Sequence, residues 1–521
     1  MKRKLTLLTL SALLLASCHP APDAVAVNPL TYSDIPDNDV VRDGDDFYMV
    51  STTMYFCPGA PIMHSRDLVH WRITGYVYDC LEDDDVYNLQ GGRNAYGHGQ
   101  WATTLRQNDG TWYALFIAGE QGKTYVYACD DLKECRWHRH AVYDRVFHDA
   151  GLLFDGGRAY VVWGNGDLRI TELEPDLSGV KADGVDQLLL ATPRHPGLRA
   201  EGTHVYHIGD YYYLLTIGWP WGDVRTETCW RSTELLGDYE SKVVLHGTIG
   251  GRGDGVAQGA IVDTPRGDWY AIMFQDHGAV GRIPTLQPVT WTDGWPMMGE
   301  NGVPMEEVTV NLPEDRKGDY VWSSDEFDDS RLQLVWQWNH RPMDDAWSLA
   351  ERKGWLRLHT ATVTDDLFAA RGTLTQRTAG PHCISQVKMD ASGMAPGDRA
   401  GICAFQSHYA TIGVEVDSVG GKWLVATVMN QQPEEVLRRP LESDDVYLRI
   451  DYTFTDERTG THDVATIAYS YDGQNWSQPG AELHMRYTLD LFTGYRTALY
   501  SYATRALGGH ADFDYFRQTT Y

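Results

Sequence analysis

The chain has 521 residues, more than one ordinary core can organise, so two or three domains are expected. With 18 Trp, 30 Tyr and 51 Gly in a composition that is 43% hydrophobic, it predicts many short strands joined by tight turns, an all-β protein. The 44 basic residues stand against 72 acidic ones. The resulting net charge of -28 repels a phosphate backbone and excludes nucleic acid as a partner. Acidity combined with aromatic rings suits neutral sugars instead, whose apolar faces stack on rings while their hydroxyls meet carboxylates.

The N-terminus opens Met1-Lys2-Arg3-Lys4, continues through an apolar stretch from Leu5 to Leu15, and ends in Leu15-Ala16-Ser17-Cys18. A basic start, a short apolar segment and small residues make an export signal too short to span a membrane. Its last four residues resemble a bacterial lipobox. That implies cleavage before Cys18 and lipidation of its thiol, hence an exported, periplasmic or cell-surface lipoprotein that meets the membrane only through its anchor. Residues 19–27, rich in Pro and Ala, read as a flexible tether. Cys57, Cys80, Cys129, Cys135, Cys229, Cys383 and Cys403 remain. An odd number at irregular spacing fits neither a disulfide framework nor a zinc site, so they read mostly as small buried hydrophobes.

From residue 28 a pattern repeats: a Gly turn followed three residues later by an aromatic in an apolar run. It occurs at Gly44 and Phe47, Gly110 and Tyr113, Gly157 and Tyr160, Gly209 and Tyr212, and Gly267 and Tyr270. Each is a hairpin signal, and five copies at intervals of roughly fifty to sixty residues predict a five-bladed β-propeller over residues 28–310. Asp67-Leu68 with Trp71 and Asp131-Leu132 with Trp137 read as outer-strand turns of two blades. Ten to twelve residues before each marker aromatic lies the start of the innermost strand, which lines the channel. The residues there are Asp37, Trp101, Asp149, Glu201 and Gln258. Three of five inner strands thus begin with an acid, where an apolar packed strand has no use for one. Like charges converging on one axis also raise each other's pKa.

The marker stops after residue 310. Residues 311–320 read as a linker, and 321–521, with alternating strands and turns, as a β-sandwich. Ser470-Tyr471-Asp472-Gly473-Gln474-Asn475-Trp476 imitates a sialidase Asp-box, but as a single copy outside the propeller it reads as a hairpin turn.

Glycoside hydrolysis needs a proton for the leaving oxygen and a nucleophile or activated water at the anomeric carbon, which two carboxyl groups supply. The acid must hold its proton near neutral pH, and a third carboxylate nearby helps it do so. Asp34-Ile35-Pro36-Asp37, His148-Asp149-Ala150 and Glu201-Gly202-Thr203-His204, in that order, resemble the three signatures of glycoside hydrolase family 43. Further matches are Pro58 to Leu68, Gln100-Trp101-Ala102 and Gly281-Arg282. Trp336 to His340 and Arg371 to Arg377 resemble the concanavalin-like sandwich of the family's two-domain β-xylosidases.

The resemblance implies an exo-acting, inverting β-xylosidase or α-L-arabinofuranosidase acting on plant cell-wall oligosaccharides. In it Asp37 is the general base and Glu201 the general acid, while Asp149 orients Glu201 and keeps its pKa high. Trp101, Arg282, Tyr55 and Phe56 contact the sugar, Arg282 facing both the sugar and Asp149. Asp34 and Asp39 are left with turn or supporting roles. No cofactor is required. A structural calcium at the axis is possible but not compelled, since Ala257-Gln258 stands where many relatives carry a His and calcium wants six to eight oxygens. Two other readings stand beside this one: a retaining fructosidase-type propeller with Asp37 as nucleophile, and a glycan-binding surface lipoprotein without catalysis.

Overall fold

The computed structural model describes residues 22–316, 321–456 and 460–521. The signal segment with Cys18 and residues 317–320 of the expected linker lie outside them. Five four-stranded antiparallel sheets form the five blades of a propeller. Their innermost strands are Asp39–Asp43, Thr104–Asn108, Gly151–Asp155, Gly197–Ile208 and Val256–Asp263. Each pairs with the strand carrying the marker aromatic. The turn glycines Gly44, Gly110, Gly157, Gly209 and Gly267 all have φ between +61° and +87°, with nothing within 4 Å of where a side chain would begin. They are glycines because a hairpin turn needs the left-handed backbone, not because space is short. That conformational demand is what made the repeat visible.

Two boundaries differ from expectation. Asp23–Val27 is a strand and not a tether, and it pairs antiparallel with Glu307–Pro313, which takes in the first residues of the expected linker. Ala24 and Ala26 are fully buried against Val308, Val310 and Val40, while Val25 and Val27 face outward. This period of two is a strand pattern written in small residues, and Pro and Ala richness concealed it. The pair ties the two ends of the propeller together.

The second domain stacks an eight-stranded on a seven-stranded antiparallel sheet, with a shared apolar core that includes Trp336, Leu374, Leu448 and Phe516. Four short 3-10 turns are the only helices among the described residues. Ser470 to Trp476 is a turn whose Asp472 carboxylate accepts from the backbone N–H groups of Gln474 and Asn475, as expected of a hairpin. Ser65 to Trp71 uses the same device in the first blade, through Asp67 and the N–H groups of Val69 and His70.

The outermost strand of the eight-stranded sheet comes from the propeller: Phe56–Cys57 pairs with Asn339 and Trp338. Cys57 is disulfide-bonded to Cys80, one pair among cysteines that read mostly as small buried hydrophobes. The antiparallel register Gly59↔Tyr78 explains it, because the residues two before and two after that pair must meet. Cys129, Cys229, Cys383 and Cys403 are unpaired and buried, and Cys135 is half-buried.

Candidate active site

Two of the three acids arrive at the mouth by the same backbone device, and the third is followed directly by a residue that uses it. Asp37 and Asp149 each lie two residues before an inner strand, with φ of +55° and +46°; Gln258 in the fifth blade has +59°, and Gly202, directly after Glu201, has +64°. A left-handed residue at this point swings the chain into the channel. Asp tolerates the conformation better than most residues, although holding it costs roughly 1–3 kcal/mol that the surrounding sheet must supply. The two left-handed aspartates therefore mark a place where geometry outranks local comfort.

Around Glu201 the contacts are short and polar. Asn165 Nδ2 donates to Glu201 Oε2 at 2.6 Å, and His148 Nε2 lies 3.3 Å from the same oxygen. Asp149 Oδ2 accepts from the Gly202 N–H at 3.2 Å and sits 3.8 Å from His148 Nε2. Asp149 thus grips the backbone of the strand that carries Glu201. Burial pushes the Asp149 carboxyl well above the usual carboxylate range; the His148 charge opposes this, and Glu201 and Asp37 reinforce it. For His148, burial works against the cation, but Asp149, Glu201 and Asp37 outweigh it and hold the imidazole's pKa well above its ordinary value. His148 and Asp149 are thus tied to each other in their protonation, each shifted upward by its surroundings.

His148, Asp149 and Glu201 also bring one ligand atom each within 4.8 Å of one another. One imidazole nitrogen and two carboxylates fall short of calcium's six to eight oxygens, so this cluster does not fit the calcium left open at the axis.

Arg282 differs from expectation in its partner. Its Nη1 donates to Asp37 Oδ1 at 2.8 Å, so it faces Asp37 and not Asp149. Burial works against its charge, but Asp37, Tyr487, Asp34 and Asp276 outweigh it, and the guanidinium stays protonated. Its Nε and Nη2 are buried without a partner among the described residues, as is Trp101 Nε1. Buried donors of this kind are expensive unless something accepts from them, and sugar hydroxyls in the mouth are suitable acceptors. Trp101 stands half-buried beside the acids, stacked against His98 with ring centroids 6.3 Å apart and edge to face with His148 at 6.1 Å.

Tyr55 and Phe56 do not contact the mouth. They are 0% and 1% exposed, locked in the seam by the strand pairing of Phe56, by His340 stacked on Tyr55 at 4.8 Å and by the Arg496 guanidinium 3.7 Å from the Phe56 ring. A second aromatic side of the mouth comes from the sandwich instead. Phe492, with φ +54°, meets Trp101 edge to face at 5.5 Å and lies 4.8 Å from the Arg282 guanidinium carbon. Asp34 fastens that loop: Oδ1 accepts from the Arg282 N–H at 2.7 Å, and Oδ2 from Thr493 Oγ1 and the Gly494 N–H at 3.1 and 3.0 Å. The preceding Gly281 is required, since a side chain there would begin 2.3 Å from Asp34 Oδ1.

Phe492 and Asn165 escaped the sequence reading. Phe492 lies in another domain with no periodic signal, whereas Asn165, in the turn after an aromatic strand, could have been found by asking which turns face the acid. Replacing Phe492 by Ala is expected to lower kcat/KM about tenfold, chiefly through KM, from the loss of one aromatic wall and a cation–π contact. Steady-state kinetics with an aryl pentoside checks it, with an unchanged melting temperature as control.

Behind Glu201, Glu227 is fully buried and accepts from the Gln258 N–H at 2.8 Å, while the Gln258 side chain packs against Gly202. Burial raises its carboxyl to about 8, opposed by that one hydrogen bond. A folded-state pKa above the unfolded value gives stability that is full below the unfolded pKa and lost as pH climbs to about 8. Glu227→Gln, which mimics the protonated form, is therefore expected to raise the melting temperature above about pH 8 and leave it nearly unchanged near pH 4, as thermal scans across pH would register.

Clustered carboxyl groups at the mouth of a five-bladed propeller, walled by Trp and Phe and lined with free donors, make this a glycosidase. The comparisons agree. Residues 26–296 match the family model described as "Glycosyl hydrolases family 43", and residues 324–519 match "Beta xylosidase C-terminal Concanavalin A-like domain". The chain belongs to glycosyl hydrolase family 43. It is 29% identical to a β-xylosidase of Formosa agariphila over 95% of this chain and 90% of that one. It is 27% identical to a non-reducing end α-L-arabinofuranosidase of Bacteroides ovatus over 94% of each. Among solved structures, a bifunctional GH43-CE protein of Bacteroides eggerthii superposes with a TM-score of 0.89 at 42% identity, covering 96% of this chain. The chain spans 64% of that protein's length. An engineered family 43 enzyme described as both an endo-xylanase and an exo-arabinofuranosidase superposes at 0.85 with 31% identity, over 96% of this chain and all of the other.

Proposed function

We propose that the protein is an exo-acting, inverting glycosidase that removes terminal β-D-xylose or α-L-arabinofuranose from plant cell-wall glycans such as xylan, arabinoxylan, arabinan or xyloglucan side chains. The observation that carries this reading is the Phe492 loop, which lies across the Asp37–Arg282 side of the mouth and favours a pocket for a chain end over an open cleft. The names of the relatives point to the same two sugars.

In the proposed reaction a water held by Asp37 loses its proton to that carboxylate as it attacks the anomeric carbon. Asp37 Oδ1 is engaged by Arg282, and Oδ2 takes no hydrogen bond from the described residues, so it is the oxygen available for the proton. Glu201 gives its proton to the leaving oxygen on the opposite side. Asp149 holds the strand of Glu201 through the Gly202 N–H, and Asn165 fixes one carboxyl oxygen so that the other meets the glycosidic bond. The unpartnered donors of Arg282 and Trp101 receive the hydroxyls of the terminal sugar. Every proton moved belongs to a side chain or to water, so the scheme calls for no cofactor.

We further propose that the chain is exported and anchored through Cys18, on the strength of its N-terminal signal. Parallel assays with an aryl β-D-xyloside and an aryl α-L-arabinofuranoside test the substrate reading. Turnover of at least one with a clear preference is expected, and turnover of neither contradicts it.

A further inference from the structure

The open face of the eight-stranded sheet carries a slot that the mouth does not use. It is built by register. Across five strands, Tyr500 stands opposite Gly401, Gly401 opposite Gly413, Gly413 opposite Val425, and Val425 opposite Arg438. Cross-strand partners share a face, so two adjacent glycines leave a side-chain-free floor between Tyr500 and Val425, with Arg438 beyond Val425. The floor cannot readily be filled, since a side chain on Gly401 would begin 2.3 Å from the Ile412 carbonyl oxygen and one on Gly413 2.1 Å from that of Ala400. The cavity is about 280 Å³, near the lower end of small-molecule pockets.

The walls choose the ligand. Arg399 Nε lies 3.1 Å from Glu415 Oε1, and Arg438 Nη2 lies 2.6 Å from Glu415 Oε2 and 2.7 Å from Glu435 Oε2. Both guanidinium groups are thus already paired with carboxylates, and Asp365 and Asp366 bring the lining to four carboxylates against two guanidinium groups. Such a surface rejects anions but offers an array of fixed donors and acceptors beside the rings of Tyr409, Tyr500 and Tyr502. That combination suits neutral vicinal hydroxyls on a pyranose or furanose ring. The slot is also placed for a polymer: Tyr500 is eight residues beyond Phe492 along the loop that leads into the strand Arg496–Ala503, so at most roughly 25 Å separates them at about 3.3 Å per residue.

We propose that this slot is a second, non-catalytic binding site for a neutral pentose-containing polysaccharide, keeping the enzyme on its polymer while the mouth trims chain ends. The choice of pentosan rests on the substrate reading above, and the existence of the slot does not.

The test uses the full chain. Arg438→Ala removes one wall, and Thr427→Trp fills the slot from a lining position. Each is made in a Glu201→Gln background for retention on insoluble arabinoxylan, and in the active enzyme for turnover of an aryl pentoside. Retention is expected to fall at least about threefold in both variants, with aryl-pentoside turnover within about twofold of the parent, and polygalacturonate is expected not to retain the parent. Undiminished retention in both variants overturns the proposal, as does equal retention of the parent on polygalacturonate, or loss of turnover in step with retention. A parent that holds arabinoxylan through the slot yet turns over neither aryl pentoside would instead sink the substrate reading and leave the slot standing.

Discussion

Glu201→Gln is expected to lower kcat/KM on natural, unactivated pentosides by about 10²–10⁴-fold while costing far less on aryl glycosides whose phenolate leaves without help. The difference between the two substrates is the informative quantity. Gln keeps the size of Glu and a carbonyl oxygen, so the strand and the Gly202 contact with Asp149 stay in place. What is lost is the proton that the leaving oxygen needs. A series of aryl pentosides with leaving groups of rising pKa checks this. The slope of log kcat/KM against leaving-group pKa should steepen in the variant, and a uniform loss along the series would mean that Glu201 acts otherwise.

Asp37→Asn is expected to be as damaging, by about 10²–10⁴-fold, but equally across good and poor leaving groups, because the base acts on the water and not on the departing oxygen. Asn is the replacement of choice because it, too, accepts the left-handed backbone found at Asp37. It still offers an oxygen to Arg282 but no charge, and a buried guanidinium that loses its counter-ion is destabilising. Tyr487, Asp34 and Asp276 also face that guanidinium and limit the damage. Folding is therefore expected to persist with a lowered melting temperature, which circular dichroism distinguishes from loss of chemistry. Activity retained on every aryl pentoside would remove Asp37 from the mechanism.

These assignments show how much was legible in the residues. The propeller was, because each hairpin needs a glycine of positive φ followed by a strand aromatic, and such backbone demands leave a periodic mark. The acids were legible for the same reason, once their phase relative to the marker was compared between blades. Contacts set by the meeting of two domains were not. Tyr55 and Phe56 sit in a loop near the mouth in sequence, yet strand pairing between Phe56 and Asn339 carries them into the seam. Phe492 reaches the mouth only because Asp34, an acid with no counterpart in the other blades, holds its loop. Arg282 could be placed near the carboxylates, but which one it meets is decided by angles that no motif encodes. Asp23–Val27 was hidden by its small residues, and the Cys57–Cys80 bond by the habit of judging cysteines by number when register decides who meets whom.

The central claim is that a base at Asp37 activates a water on one side of the sugar while an acid at Glu201 protonates the leaving oxygen on the other. Proton NMR of the anomeric region during hydrolysis of an aryl β-D-xyloside, recorded before mutarotation, tests it most directly; if only the arabinofuranoside is turned over, the same measurement is made on that substrate. The account predicts that the first sugar released carries the inverted anomeric configuration, α-xylose from a β-xyloside. First release of the retained anomer would contradict it and make one of the two carboxylates a nucleophile.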